Sequence, residues 1–465
     1  MSKNKRALII LAAITAVIIA VIAVILLTAP EESVSSEDDT ESVSIYSISA
    51  SDFVRASVTN ELGGFTLEKT ENGYAIPEDD GFELSTYSTG WLGDKLIAPN
   101  ATKVIEEPNE LSEYGLDKPS AACRVELADG SVKTLLLGNE SVTAGYYMML
   151  EGEKNVYIVT NNLPAYLMRA AAWYVEADVI PSASDCPQGT DTTVKYVFMG
   201  GKARAENVEI QMDPSYVSTD TEASTPYIMT QPVSYPVNTS TSGDLISYAP
   251  ALKFSECADI RLNAEKLAKY GLDDPDYVLK YRFANFDVHI DFADAGEYYY
   301  AVLEGFDAVF IAYPGNTSFL STPAEEYMSR LTFTKPLSSL SGLKISVGGK
   351  QYAFRIDHNE NGTVPYCGSL KLDETNFKQF YENMIMTLSE GRTDEKPTAE
   401  AYISFVYSFN DGTPDVKAEF VPIDSMRYVY LVDGDGMFFV LKSQVDALAS
   451  DIELISQNKP IKTTI

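Results

Sequence analysis

Tyr114-Gly115-Leu116-Asp117-Lys118-Pro119 recurs downstream as Tyr270-Gly271-Leu272-Asp273-Asp274-Pro275. Tyr147-Met-Met-Leu150-Glu151-Gly152 recurs as Tyr300-Ala-Val-Leu303-Glu304-Gly305, and Val156-Tyr-Ile-Val159 as Val309-Phe-Ile-Ala312. Upstream, Tyr74-Ala-Ile-Pro77 sets against Tyr227-Ile-Met-Thr230. The outer matches share an offset of 153 residues and the central one is offset by 156. Several matches at nearly one offset indicate a duplicated, domain-sized unit and not a short solenoid repeat. A fainter third copy follows at Tyr428-Val-Tyr-Leu-Val-Asp433-Gly434 and Met437-Phe-Phe-Val440, with Thr393-Asp-Glu-Lys-Pro397 where the turn motif would stand.

Within each unit the pattern alternates. Cys123 to Leu137 does so around Asp129-Gly130, a hairpin signal. Phe286 to Phe292 alternates strictly. Phe377, Phe380, Tyr381, Met384, Ile385 and Leu388 fall on one helical face behind Asp373. Thr322-Pro323 with Glu325 predicts a capped helix start, and Asn162-x-Pro164 predicts a similar helix before Trp173. Each unit reads as a twisted antiparallel sheet with one helix before it and one after. The expected class is therefore α+β. The repeated turn has a structural use: its glycine takes positive φ at a helix end and its proline stops the helix.

Working outward, Lys3, Lys5 and Arg6 precede an uncharged run from Ala7 to Ala29. A helix needs about 20 apolar residues to cross a bilayer, so this run predicts an N-terminal transmembrane helix. The basic flank orients the N-terminus to the cytoplasm. The run is longer than a signal-peptide core, and Pro30 spoils the cleavage site. Residues 30–44 are acidic and Ser-rich and read as a disordered tether. The expected organisation is a basic tail at 1–6, the transmembrane helix at 7–29, the tether at 30–44, and repeat units at 45–181, 182–335 and 336–465, the last divergent.

The formal net charge is −32, and the N-terminal flank contributes +3, which leaves −35 on the rest. Nucleic acid needs a basic footprint and is excluded as a partner. An anionic lipid surface is disfavoured for the bulk of the chain. The four cysteines form no C-x-x-C, so zinc-ribbon and thioredoxin-type sites are excluded; disulfides and buried free thiols both remain open.

The lone anchor, the repeated Tyr-Gly-Leu-Asp-x-Pro turns and the Asp-Gly hairpin together resemble the bacterial domain-of-unknown-function 4340 family. The resemblance covers most of residues 45–335 and, more weakly, the remainder. It implies a companion of gliding-motility-type ABC transporter auxiliaries in the bacterial cell envelope, with an ABC permease or auxiliary subunit as partner. It supplies no catalytic residue.

Three constellations stand out as candidate sites. Asp287, His289 and Asp291 share one face of a strand and could bind a metal or move protons. The plainer reading, and the favoured one, is the solvated face of a half-buried strand. Asp357, Asn359 and Asn361 match the first half of a calcium loop, but position twelve is Gly368 and a strand leads in. A hairpin around Asn361-Gly362 is favoured over calcium, and no other cofactor is expected. Ser341-Gly-Leu-Lys344 fits S-x-x-K without its companion elements and reads as chance. The 29 tyrosines cluster at Tyr146-Tyr147 and Tyr298-Tyr299-Tyr300; strand propensity and a protein or glycan contact surface both account for them.

The expected function is a membrane-tethered, extracytoplasmic scaffold or partner-binding protein and not an enzyme. The alternatives are an envelope glycan-acting enzyme using carboxylates, or a solute- or cation-binding receptor.

Overall fold

The computed structural model describes residues 42–214, 225–333, 335–360, 362–397 and 399–461. Four antiparallel sheets account for the architecture, and 38% of these residues are strand against 22% helix. The expected α+β class is therefore corrected to a predominantly β fold. Among the described residues no helix is long and apolar enough to cross a membrane. The expected transmembrane helix at 7–29 lies outside the described residues, as do the tail at 1–6 and all but the last residues of the tether.

Two compact units are present, the first ending at Ala171 and the second beginning at Ala172. The first holds an eight-stranded sheet and a two-stranded one that joins Val43–Ser44 to Asn100–Ala101. The second holds two nine-stranded sheets.

All three large sheets follow one path. In the third, four strands run outward as a meander from Leu340–Val347 to Leu370–Lys371. Helix Glu374–Ile385 follows, then the edge strand Gly391–Arg392. A second meander starts at Ile403–Phe409, and this strand pairs with Leu340–Val347 at the sheet centre. The second sheet has the same order, with Tyr196–Gly200 against Tyr277–Arg282 at its centre. The first sheet repeats it with one outer strand fewer, and its central pair is Phe53–Asn60 with Ala121–Leu127.

The helix between the meanders is capped each time by a residue suited to it. Ser85 accepts from Ser88 N, Asn238 from Ser240 N and Thr241 N, and Asp373 from Asn376 N. The expected helix behind Asp373 forms and buries Phe377, Phe380, Tyr381 and Met384. Helix Lys442–Ser456 buries Val445, Leu448, Ile452 and Ile455 in the same core, against Ile345, Phe405 and Phe420 of the sheet.

The expected trailing helices of the first two units shrink. Asn162-x-Pro164 opens only Leu163–Leu167, followed by a 3-10 turn at Ala171–Tyr174. Thr322-Pro323 precedes a single 3-10 turn, Ala324–Tyr327, without a side-chain cap. Met328 leaves that turn with extended backbone and bridges to Val237, so the chain enters strand pairing before a helical ladder can extend. Fewer helices and more strands than expected are what move the fold into the β class.

The connector between the second and third sheets is stitched to both. Val237 and Met328 form a bridge, and Ser329 N donates to Pro236 O at 2.8 Å. One turn further on, Leu331 bridges to Leu388, and Ser389 N donates to Arg330 O at 2.9 Å. Phe333 then enters the third core and stacks on Tyr407 with ring centroids 3.7 Å apart. Arg392 pairs with Glu206 at 2.5 Å, and Tyr235 packs on Phe438 at 5.0 Å. These contacts hold the two sheets in one unit.

Between helices Glu374–Ile385 and Lys442–Ser456, Asn383 Nδ2 donates to Asp451 Oδ2 at 2.9 Å. Burial pushes the Asp451 carboxyl up, against the smaller effect of that hydrogen bond. A raised folded-state pKa means that stability falls as pH rises from about 4, the unfolded carboxylate value, through the folded value. Asp451→Asn keeps the acceptor and removes the charge. It is expected to raise the melting temperature at pH 7, with the gain vanishing below about pH 4. Thermal melts of both proteins across that range check it; a gain that persists at low pH contradicts the assignment.

Candidate functional site

The motif residues are packed, and the geometry shows what they do. Gly115 ends the 3-10 turn Leu111–Tyr114 at φ +69, and Leu116 N reaches back to Leu111 O at 3.0 Å. Gly271 ends helix Ala264–Lys269 at φ +72, and Leu272 N reaches Leu267 O at 2.8 Å. Both are left-handed caps that glycine adopts without a Cβ penalty. At Gly115 a Cβ would also lie 2.4 Å from the Asn139 side chain.

The cap aims the next leucine at the sheet. Leu116 is buried with Met149 and Val156, and Leu272 with Ala293 and Val309. Leu136, Tyr147 and Met149 alternate with the buried Leu135, Leu137, Met148 and Leu150, so Leu116 plugs the sheet face opposite that set. The motif tyrosines complete the plug. Tyr114 packs edge-on against Tyr147 at 4.9 Å, and Tyr270 against Tyr300 at 4.7 Å. The repeated residues thus serve packing in both copies.

The second copy surrounds its plug with polar groups. Asp259 accepts from Lys266 Nζ at 2.7 Å, from Tyr270 Oη at 3.0 Å and from Ile260 N at 2.9 Å. Burial alone would push the Asp259 carboxyl up, but these bonds outweigh it and hold it below the usual range. Lys269 lies 4.5 Å over the Tyr270 ring. Tyr298 and Tyr300 share a hydroxyl contact at 3.1 Å, and Tyr298 packs on Tyr313 at 6.1 Å. The bond to Tyr298, and then burial, push the Tyr300 phenol up to about 12.

The strand Asp287–Asp294 forms as expected, with Val288, Ile290 and Phe292 buried. Asp287 turns to Arg282 at 2.8 Å and leaves the other two. His289 Nε2 faces Asp291 Oδ1 at 3.1 Å, and His289 Nδ1 faces Glu304 Oε2 at 3.2 Å. The two carboxylates sit at opposite ring edges, so a metal at either nitrogen would meet one of them at most. Among the described residues no group of three or more His, Cys, Asp or Glu is placed to hold a metal ion. Sequence reasoning missed Glu304. The hairpin register carries the signal: Ile290 pairs with Leu303, which puts His289 beside Glu304.

These pairs are partly exposed, so their worth is small. His289→Ala is expected to cost less than about 1 kcal/mol of stability, measured by urea unfolding. A loss of several kcal/mol would reveal a role that the geometry does not show.

In the third sheet Asp357 turns to Arg355. His358 Nε2 lies 2.7 Å from Leu340 O. Asn359 pairs with Gly362 at the end of the strand ladder, and Asn361 lies outside the described residues. Asp357 and Asn359 both lie on the strand Lys350–Asn359, which is paired with Gly362–Cys367. Ser341 lies at a register irregularity between Leu340 and Gly342, and its Oγ donates to Phe409 O at 3.0 Å, while Lys344 lies on the regular part of the strand. Cys123 and Cys257 are buried, and Cys186 and Cys367 are half-buried. The Cys123 thiol is pushed up to about 12 by burial, which makes it a poor nucleophile.

A family model described as "Domain of unknown function (DUF4340)" covers residues 92–181 and 228–397. No curated protein and no solved structure matches the chain.

Proposed function

The chain belongs to the domain-of-unknown-function 4340 family, and on that premise we propose that it is a membrane-tethered, extracytoplasmic partner-binding protein that serves a membrane complex. The use of the repeated motif carries this reading. Leu116, Leu272 and their tyrosine partners are spent on packing, so duplication multiplies folded surface and not a reaction centre. Three sheets of one design supply three similar surfaces, and a net charge of −32 suits basic partners. The basic flank and the uncharged run from Ala7 to Ala29 supply the tether to the bilayer. The partner is a membrane protein, and the family resemblance points to an ABC permease or its auxiliary subunit.

Crosslinking in native membranes, followed by purification and mass spectrometry, tests it. The same permease or auxiliary chain is expected in every preparation. A protein that emerges alone overturns the reading.

A further inference from the structure

We propose that Tyr298 and Tyr313, beside the packed Tyr270–Tyr300 pair on the second sheet, form the surface that receives a lysine- or arginine-bearing segment of the partner. The inference rests on the partner-binding reading and says where the contact is made.

The two copies differ at this place in an instructive way. Tyr299 pairs with Ala312, and in the first copy Tyr146 pairs with Val159 at the same offset of 153. Tyr298 and Tyr313 therefore stand where the first copy has Gly145 and Thr160. Gly145 sits at φ +76, and a Cβ there would lie 2.3 Å from Val159 O, so the first copy cannot carry a ring at that point. In the second copy the hairpin closes differently, with Ala295 N donating to Tyr298 O at 2.9 Å. The plug is complete in both copies with Tyr114 and Tyr147 or with Tyr270 and Tyr300. Tyr298 and Tyr313 are surplus to it, and Tyr313 is left 50% exposed.

The chemistry of these rings selects a cation. Aromatic faces attract ammonium and guanidinium groups; the Tyr270 ring already holds the chain's own Lys269, which leaves the Tyr298 and Tyr313 rings for a partner's cation. The chain is strongly acidic, so a basic segment is drawn to it and a second acidic chain is repelled. The Tyr298 and Tyr300 hydroxyls add hydrogen-bonding groups along the path.

The test uses the full chain in detergent and a synthetic peptide of alternating Lys, Arg and Ser, titrated at about 0.15 M salt. Tyr298→Ser with Tyr313→Thr leaves the net charge unchanged, so attraction to the acidic surface in general is preserved. The pair of changes is expected to weaken peptide binding about fivefold or more, as two lost cation–ring contacts should. Tyr313→Thr alone removes only the half-exposed ring and is expected to lose about half of that effect on a logarithmic scale. Tyr87→Ser, at an exposed tyrosine of the first unit, is the control and is expected to change nothing. Equal binding by all variants, or an equal loss in the control, overturns the proposal. So does a wild-type chain that ignores the peptide, or one that binds a β-linked oligosaccharide through the same tyrosines instead. Should crosslinking still recover the membrane partner after any of these outcomes, the partner-binding reading stands and only the surface is wrong.

Discussion

Phe333→Ala is expected to lower the unfolding free energy of the second unit by about 3–5 kcal/mol, the usual cost of deleting a buried phenylalanine. Phe333 is 7% exposed and lies almost parallel to Tyr407, 9° between ring planes. Its neighbours are anchored: Thr332 Oγ1 donates to Met384 O at 3.3 Å, and Tyr381 Oη donates to Lys335 O. The cavity therefore cannot close easily, which places the loss towards the upper end. The residue also belongs to the connector, so a second effect is expected. The wild-type unit should unfold in one transition, and the variant should release the third sheet before the second. Calorimetry with urea titration reads both. A loss below about 1 kcal/mol would mean that the connector packs only loosely. Phe333→Leu keeps most of the volume and should recover most of the stability.

Leu272→Ala and Leu116→Ala are expected to cost about 2–5 kcal/mol each. Each leucine enters a small cluster on the sheet face opposite the main core, with few neighbours to move into the space. If the motif were a binding loop, truncating its leucine would spare stability and abolish an interaction. The packing reading demands the reverse. The Leu116 change should act on the first unit and the Leu272 change on the second, because each plug lies within its own unit. Gly115→Ala should add a smaller loss of the same kind, from a Cβ at positive φ against Asn139.

Much of this build is legible in the residues. Asp129-Gly130 is a two-way signal, a turn pair between alternating runs, and the strands Ala121–Leu127 and Val132–Glu140 form around it. The helix behind Asp373 carries both its cap and its apolar stripe. The trailing helices failed because proline at a helix start and proline before a lone 3-10 turn look alike in one dimension. In the third unit the turn motif is gone, yet the strand order is kept. There Thr393 N donates to Met437 O at 2.7 Å, and Arg427 reaches Glu395 at 2.9 Å and lies over Phe439. Different residues cover the same sheet face, so the motif search loses the copy while the topology retains it.

The candidate site was only half legible. Alternation placed Asp287, His289 and Asp291 on one face, but it could not say which cation or carboxylate the neighbouring strand would bring. Arg282 took Asp287, and Glu304 joined His289. The tyrosine row was visible as a composition, whereas its surplus over the first copy emerges only once the strand registers are matched.

The central strand pair of each sheet bears on how the chain reaches its native state. Hairpins within a meander close over a few residues and need little search. The pairing of Val58 with Cys123, of Val197 with Tyr281 and of Ile345 with Phe405 joins segments separated by a helix and an edge strand. Loop-closure entropy makes those contacts the late ones. Each sheet thus joins two meanders of local hairpins by a non-local central seam, with a second non-local pairing at the edge strand, and folding is expected to be limited by these pairings.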